Sequence, residues 1–189
     1  MHQFKQTIDD QFSLPISSQP SPNYNARPEE VTIDLLVIHS ITMPPGQFGG
    51  DGIQALFQNS LDPSTHAACY DDHHHFRVSS HLLIDRQGQV TQFVALKDRA
   101  WHCGSSSFQG RTNCNDFAIG IELEGTDEHD FTPEQYQSLI QLTFDIQAIY
   151  PDISDDHIVG HSDIAPGRKF DPGPRFDSVS YTHLTLPTT

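Results

Sequence analysis

Three things are scarce in this chain, and each scarcity excludes something. Cysteine occurs three times in 189 residues, as Cys69, Cys103 and Cys114, with no CxxC pair. An odd, scattered set argues against a disulfide framework or a cysteine metal cage and for reduced thiols in the cytosol. Cations are few: Lys and Arg number 10 against 25 Asp and Glu, a net charge of −15 with neutral histidines. Such a surface repels polyphosphates, so nucleic acid is not expected as a partner, and plain solubility accounts for the charge. Long apolar runs are missing too. No stretch approaches the ~20 residues of a membrane helix, so no membrane partner is expected. The opening "MHQFKQTIDDQFSLPISS" has no basic stretch followed by an apolar one, so a Sec signal is not expected and the cytoplasm is the expected compartment.

What is present is a foldable composition: 35% apolar, 19% charged, with 12 Phe and 5 Tyr. The length fits one domain with its own core. Residues 1–30 form a Pro- and Ser-rich arm expected to run extended over the surface. Residues 31–177 carry the patterned sequence. Residues 178–189, "SVSYTHLTLPTT", hold no charged residue and read as a non-native tail or a frayed natural one.

Within 31–177, "VTIDLLVIHS" places Val31, Ile33, Leu35 and Val37 on one face and Leu36 and Ile38 on the other. Apolar residues on both faces predict a central, doubly covered strand ending at His39. "IQALFQNSL" predicts a short helix, and "SSHLLIDRQGQVTQFVAL" two strands around Gln87-Gly88. In "DFAIGIELEG" Phe117, Ile119, Ile121 and Leu123 share one face, and Ala118, Gly120, Glu122 and Glu124 the other. "TPEQYQSLIQLTFDIQAIY" predicts the clearest helix: Thr132 and Gln135 form a capping box, Pro133 takes the first turn, and Leu139, Ile140, Leu142, Phe144, Ile146 and Ile149 supply an apolar stripe. Strands interleaved with helices imply an α/β (α+β) fold with a central mixed β-sheet flanked by helices.

The chemistry-bearing residues sit at the ends of these elements. His39 closes a buried strand. His161 opens "GHSDIAPGRKFDPGP", a loop stiffened by Pro and Gly that also holds Lys169 and Asp171. Two imidazoles and a carboxylate are a ligand set for zinc with one position left open. The spacing by itself fits a core histidine and ordinary loop residues better. The small residues beside Glu122 would leave space before a carboxylate, as a general base needs; the same face could instead be solvated. Glu124 reads as a surface acid or a structural partner. His66 and His129 read as surface residues, "DDHHHF" at 71–76 as a solvated loop rather than a metal scavenger, and His81 as either cleft-lining or packed.

Several segments together, "PSPNYNARP", "LLVIHSITMPPGQFGG", "RVSSHLLIDRQGQV", "RAWHCGSSSFQGRTNCNDFAIGIELEG" and "GHSDIAPGRKFDPGP", resemble a known family. It is that of the AmpD-type 1,6-anhydro-N-acetylmuramyl-L-alanine amidases, whose fold is shared with phage lysozyme-type amidases and peptidoglycan recognition proteins. The resemblance covers roughly residues 20–177. It implies one Zn²⁺ per chain, held by His39, His161 and Asp171, with Glu122 as proton-transfer group and Lys169 stabilising the oxyanion. It also implies substrate contacts from Arg77, Trp101 and His102, and a small muropeptide substrate cut between the lactyl group of muramic acid and L-alanine. Ser40 and Asn113 depart from the pattern of close relatives, at positions that touch substrate rather than the chemistry. An exported amidase acting on intact wall and a non-catalytic peptidoglycan-binding module are the alternatives; the filled ligand positions favour an enzyme. No motif encodes the oligomeric state.

Overall fold

Seven consecutive residues with almost no access to water define the middle of this protein. The computed structural model describes residues 12–178 and residue 181. The first eleven residues of the arm and nearly all of the expected tail therefore lie outside the described residues.

The arm contributes β1 (Ile16–Ser18) and β2 (Tyr24–Asn25). Then come β3 (Leu35–Ile41), α1 (Gly52–Phe57) and α2 (Tyr70–His73). The hairpin strands β4 (Leu82–Ile84) and β5 (Val90–Gln92) follow, then β6 (Arg99–Ala100), β7 (Ser107–Phe108) and β8 (Arg111–Thr112). The chain finishes with β9 (Ala118–Glu124), α3 (Pro133–Ile149), β10 (Ile158–Gly160) and α4 (His161–Ile164). Six strands form one sheet in the order β1-β5-β4-β9-β3-β10. Within this sheet, among the described residues, only the β4–β5 hairpin is antiparallel; β1–β5, β4–β9, β9–β3 and β3–β10 are parallel. The fold is the mixed sheet flanked by helices that the sequence pattern predicts.

Every residue of β9 is buried, because both faces of the sheet are covered. Leu36 and Ile38 of β3 and Ile119, Ile121 and Leu123 of β9 pack against Leu139, Leu142 and Ile146 of α3. On the opposite face Leu35, Val37 and Ala118 pack with Cys103, Cys114 and Ile164. The face of β9 holding Glu122 is therefore not solvated. β3 also runs two residues past His39. Its partner β9 continues beside it, and Ser40↔Leu123 and Ile41↔Glu124 extend the register.

α3 starts as its sequence dictates. The Thr132 hydroxyl accepts from the Gln135 N–H at 3.1 Å, and the Gln135 side chain accepts from the Thr132 N–H at 3.1 Å. The stripe is narrower than predicted: Leu139, Leu142 and Ile146 are fully buried, whereas Phe144 stays 42% exposed. Residues 139, 142 and 146 follow the i, i+3, i+7 spacing of one face, and 144 falls outside it.

The arm is extended, as expected, yet it does not simply lie on the surface. β1 pairs with β5, and the buried Asn23 side chain donates to the carbonyls of Phe57 and Val78 at 3.2 and 2.8 Å. Side-chain amides thus satisfy carbonyls where the interspersed prolines cannot. From the segment read as a tail, Tyr181 is buried in the α3 core and its hydroxyl lies 2.7 Å from that of Thr143. No helix among the described residues is long and apolar enough to cross a membrane.

Candidate metal centre and cleft

Parallel pairing sets the floor of the site. His39 on β3 and Glu122 on β9 are register partners, so their side chains emerge side by side on the face away from α3. β10 runs parallel to β3 and delivers His161 one residue beyond its last strand residue, Gly160. The stiff loop then returns: the Ser162 N–H donates to the carbonyl of Asp171 at 2.9 Å, which places the Asp171 carboxylate over both imidazoles.

Three donor atoms converge there. His39 Nδ1 and His161 Nδ1 lie 3.0 Å apart, and Asp171 Oδ2 lies 3.2 and 3.0 Å from them. Ligands at zinc's 2.0–2.1 Å bond lengths in a tetrahedron are separated by ~3.3 Å, close to this triangle. The proton inventory agrees. His161 Nε2 is 3.0 Å from the Cys103 carbonyl, which can only accept, so Nε2 carries a proton and Nδ1 is the nitrogen turned to the triangle. Burial pushes His39 down to about 4, against the hydrogen bond to Asp171, so the ring is neutral. Burial alone would raise Asp171, but its contacts with the two imidazoles hold it well below the usual carboxylate range. Two imidazole nitrogens and an ionised carboxylate turned to one point are the donor set that a divalent cation takes, and these residues fit one.

Glu122 stands beside the triangle. Its side chain is 8% exposed, and Oε2 is buried without a hydrogen-bond partner among the described residues. Burial, then the negative Asp171, push its carboxyl well above the ordinary value, while the Lys169 ammonium opposes that rise. Such an orphaned buried oxygen is costly unless a ligand or water uses it. A cleft of about 420 Å³ opens here, lined by Ser40, Trp101, His102, Glu122 and Lys169 along with the three donors. Ser40, Lys169 and Asp171 also border a second hollow of about 490 Å³, which Arg168 and Phe170 help to line.

The structure thus brings His39, His161, Asp171, Glu122, Lys169, Trp101 and His102 together. It does not bring Arg77. That side chain is exposed, and its guanidinium donates to the carbonyls of His74 and Phe76, both at 3.0 Å, so its own loop holds it outside the cleft lining. His39, His102 and Cys103 form a second cluster of potential ligands. Burial pushes the Cys103 thiol well above its ordinary value, as for a packed structural cysteine.

One other histidine also differs from expectation. His66 is buried, its Nδ1 accepting from the Asp62 N–H at 3.0 Å. His81 packs: Nδ1 accepts from the Gly120 N–H and Nε2 lies 3.0 Å from the Asp98 carbonyl. Glu124 is a structural partner, accepting from the backbone N–H groups of Gly49 and Arg86. One residue that no sequence pattern flagged is Arg27, whose guanidinium reaches the carbonyls of Leu96, Asn115, Asp116 and Ala118 at 2.9–3.0 Å. Burial lowers it to about 10. Nothing in "PNYNARPEE" separates that arginine from a surface one.

Known proteins resemble this chain. The family model for N-acetylmuramoyl-L-alanine amidase matches residues 29–174. The 1,6-anhydro-N-acetylmuramyl-L-alanine amidase AmpD of Haemophilus influenzae is 53% identical over 161 residues, covering 85% of this chain and 87% of the relative. That of Escherichia coli is 52% identical over 170 residues, covering 90% and 92%. A crystal structure of a selenomethionine derivative of AmpD superposes with a TM-score of 0.88 at 46% identity, covering 95% of this chain and 99% of that one. The Escherichia coli amidase AmiD in complex with anhydro-N-acetylmuramic acid-L-Ala-D-γ-Glu-L-Lys superposes at 0.59 with 31% identity, covering 85% and 61%. With the family model matching residues 29–174 and about half of the aligned residues shared with such enzymes, the chain belongs to the N-acetylmuramoyl-L-alanine amidase family.

Proposed function

We propose that this enzyme hydrolyses the amide between the lactyl group of 1,6-anhydro-N-acetylmuramic acid and L-alanine in small muropeptides, as a cytoplasmic step of peptidoglycan recycling. The observation that carries the reading is the triangle of His39 Nδ1, His161 Nδ1 and Asp171 Oδ2 beside an unpartnered Glu122 oxygen. These three residues would hold one Zn²⁺. Bound there, zinc supplies a Lewis acid that polarises the scissile carbonyl and makes an attacking water more acidic.

The chain's own groups do the rest. Glu122 takes a proton from the attacking water at Oε2 and returns it to the departing α-amino nitrogen of L-alanine, so one carboxylate serves both half-steps. The Lys169 ammonium stabilises the negative charge that develops on the carbonyl oxygen, a contribution of ~3 kcal/mol for a well-placed donor. Trp101 walls the cleft, its indole N–H anchored 2.7 Å from Asn25 Oδ1. Residues 31–177 are the catalytic unit, with the arm before them supplying an edge strand and the Arg27 pin. The three cysteines, all free and buried, suit a reducing compartment.

Relatives carrying the 1,6-anhydro name at over 50% identity support the substrate class. The test is product analysis by mass spectrometry on a defined anhydro-muropeptide and on intact sacculi, before and after chelation. Release of the peptide from the soluble substrate, loss on chelation and recovery with about one equivalent of zinc are expected. Full activity in metal-free protein, or cleavage of sacculi alone, would overturn the reading.

A further inference from the structure

We infer that His102 is the positioning residue of the metal centre, accepting through Nδ1 the proton that His39 carries on Nε2 and so fixing His39 Nδ1 as the nitrogen turned to the ion. The inference rests on the metal role assigned above to His39, His161 and Asp171. His39 Nε2 lies 2.9 Å from His102 Nδ1. If His39 Nδ1 is to offer a lone pair to a cation, its one proton belongs on Nε2, and His102 Nδ1 is the acceptor at hand. His102 must then carry its own proton on Nε2.

The same short segment serves the other imidazole. The carbonyl of Cys103, the next residue, accepts from His161 Nε2 at 3.0 Å. Adjacent residues thus set the tautomers of both histidines, one through a ring nitrogen and one through the backbone. The segment is itself clamped. Asn115 Oδ1 accepts from the N–H groups of His102 and Cys103 at 3.1 and 2.8 Å, and Arg168 donates to the Cys103 carbonyl at 2.6 Å.

Gly120 explains how the ring reaches its place. A Cβ at that position would stand 2.5 Å from His102 Nδ1 and 2.7 Å from its Cγ. Any side chain there displaces the imidazole from His39. The small residue beside Glu122 on β9 therefore makes room for His102 rather than for substrate. Behind it the His81 ring meets His102 edge-on, with centroids 5.4 Å apart. Outer partners that orient ligating histidines are worth ~10–100-fold in metal affinity.

The experiment measures zinc affinity by equilibrium competition with a chromophoric chelator, for wild type, His102→Leu, His102→Asn and Gly120→Ala. Asn can place a carbonyl oxygen where Nδ1 stood. Expected are losses of ~10–100-fold for His102→Leu and Gly120→Ala, and recovery by His102→Asn to within about threefold of wild type. Near-ultraviolet circular dichroism of each metal-free variant reports folding. On zinc-loaded wild type, ¹⁵N NMR should find the His39 proton on Nε2 with a scalar coupling across the hydrogen bond to His102 Nδ1, a readout independent of any variant's folding. A proton resident on His102 Nδ1, or an unchanged affinity in folded His102→Leu, overturns this inference alone. Wild-type protein that binds no zinc overturns the metal reading and this inference with it.

Discussion

Replacing Glu122 by Gln separates metal binding from turnover. The two side chains have nearly the same shape, so no cavity opens at a position only 8% exposed. Volume-conserving changes of this kind cost less than about 1.5 kcal/mol of stability. The register partner His39 is one strand spacing away, ~4.8 Å, and the ligand triangle contains no Glu122 atom. The metal should therefore stay. What disappears is the basic oxygen: Oε2 makes no other hydrogen bond among the described residues, so its loss is felt by the reaction and not by the scaffold. General acid–base groups contribute ~10²–10⁴-fold, which at ~1.36 kcal/mol per tenfold is ~2.7–5.4 kcal/mol of barrier. The assay is kcat on a defined anhydro-muropeptide by product mass spectrometry, with zinc content determined on the same sample. A zinc-loaded Glu122→Gln protein within about tenfold of wild type refutes the proton-transfer role. Loss of the zinc along with the activity would instead make Glu122 part of what holds the ion.

Three further outcomes follow from the packing. Arg27→Met strips donors from four backbone carbonyls and should lower stability by ~3 kcal/mol or more in urea titration; a loss under ~1 kcal/mol would make the guanidinium a bystander. Gly88→Ala forces a side chain onto φ +77° with its Cβ 2.6 Å from the Glu134 carbonyl at the start of α3, and should cost ~1–3 kcal/mol by the same measurement. An unchanged midpoint would mean that the turn relaxes freely. Tyr181→Ala removes a ring buried against α3 and should cost ~3–5 kcal/mol. A neutral result would show that burial of this ring adds nothing to the fold.

How much could be seen in the sequence varies with the range of the interaction. The start of α3 was legible because capping is local: Thr132, Pro133 and Gln135 lie within four residues, and their chemistry needs no distant partner. β3 and β9 were legible because apolar residues on both faces leave a strand nowhere to go but the interior. The misreadings share one cause. Gly120 looked like open space because its neighbour His102 comes from another part of the chain, and the arm looked superficial because its carbonyl partners lie on α1 and beyond. His39 and His161 are 122 residues apart, so no local pattern encodes their meeting; only the resemblance of whole segments pointed to it. Arg77 matched such a segment, yet its guanidinium turns back to its own loop, since a side chain's direction is not written in its position.

The pairing of His39 with Glu122 across two parallel strands has a mechanical meaning. A slip of one residue between β3 and β9 would carry the carboxylate ~3.3 Å along the strand and turn it through the sheet into the packing against α3. The distance between the two groups is thus protected by the whole hydrogen-bonded ladder, and wear in the surrounding loops leaves it untouched. Surrounding segments can vary while the pair keeps its spacing for as long as the sheet stays closed.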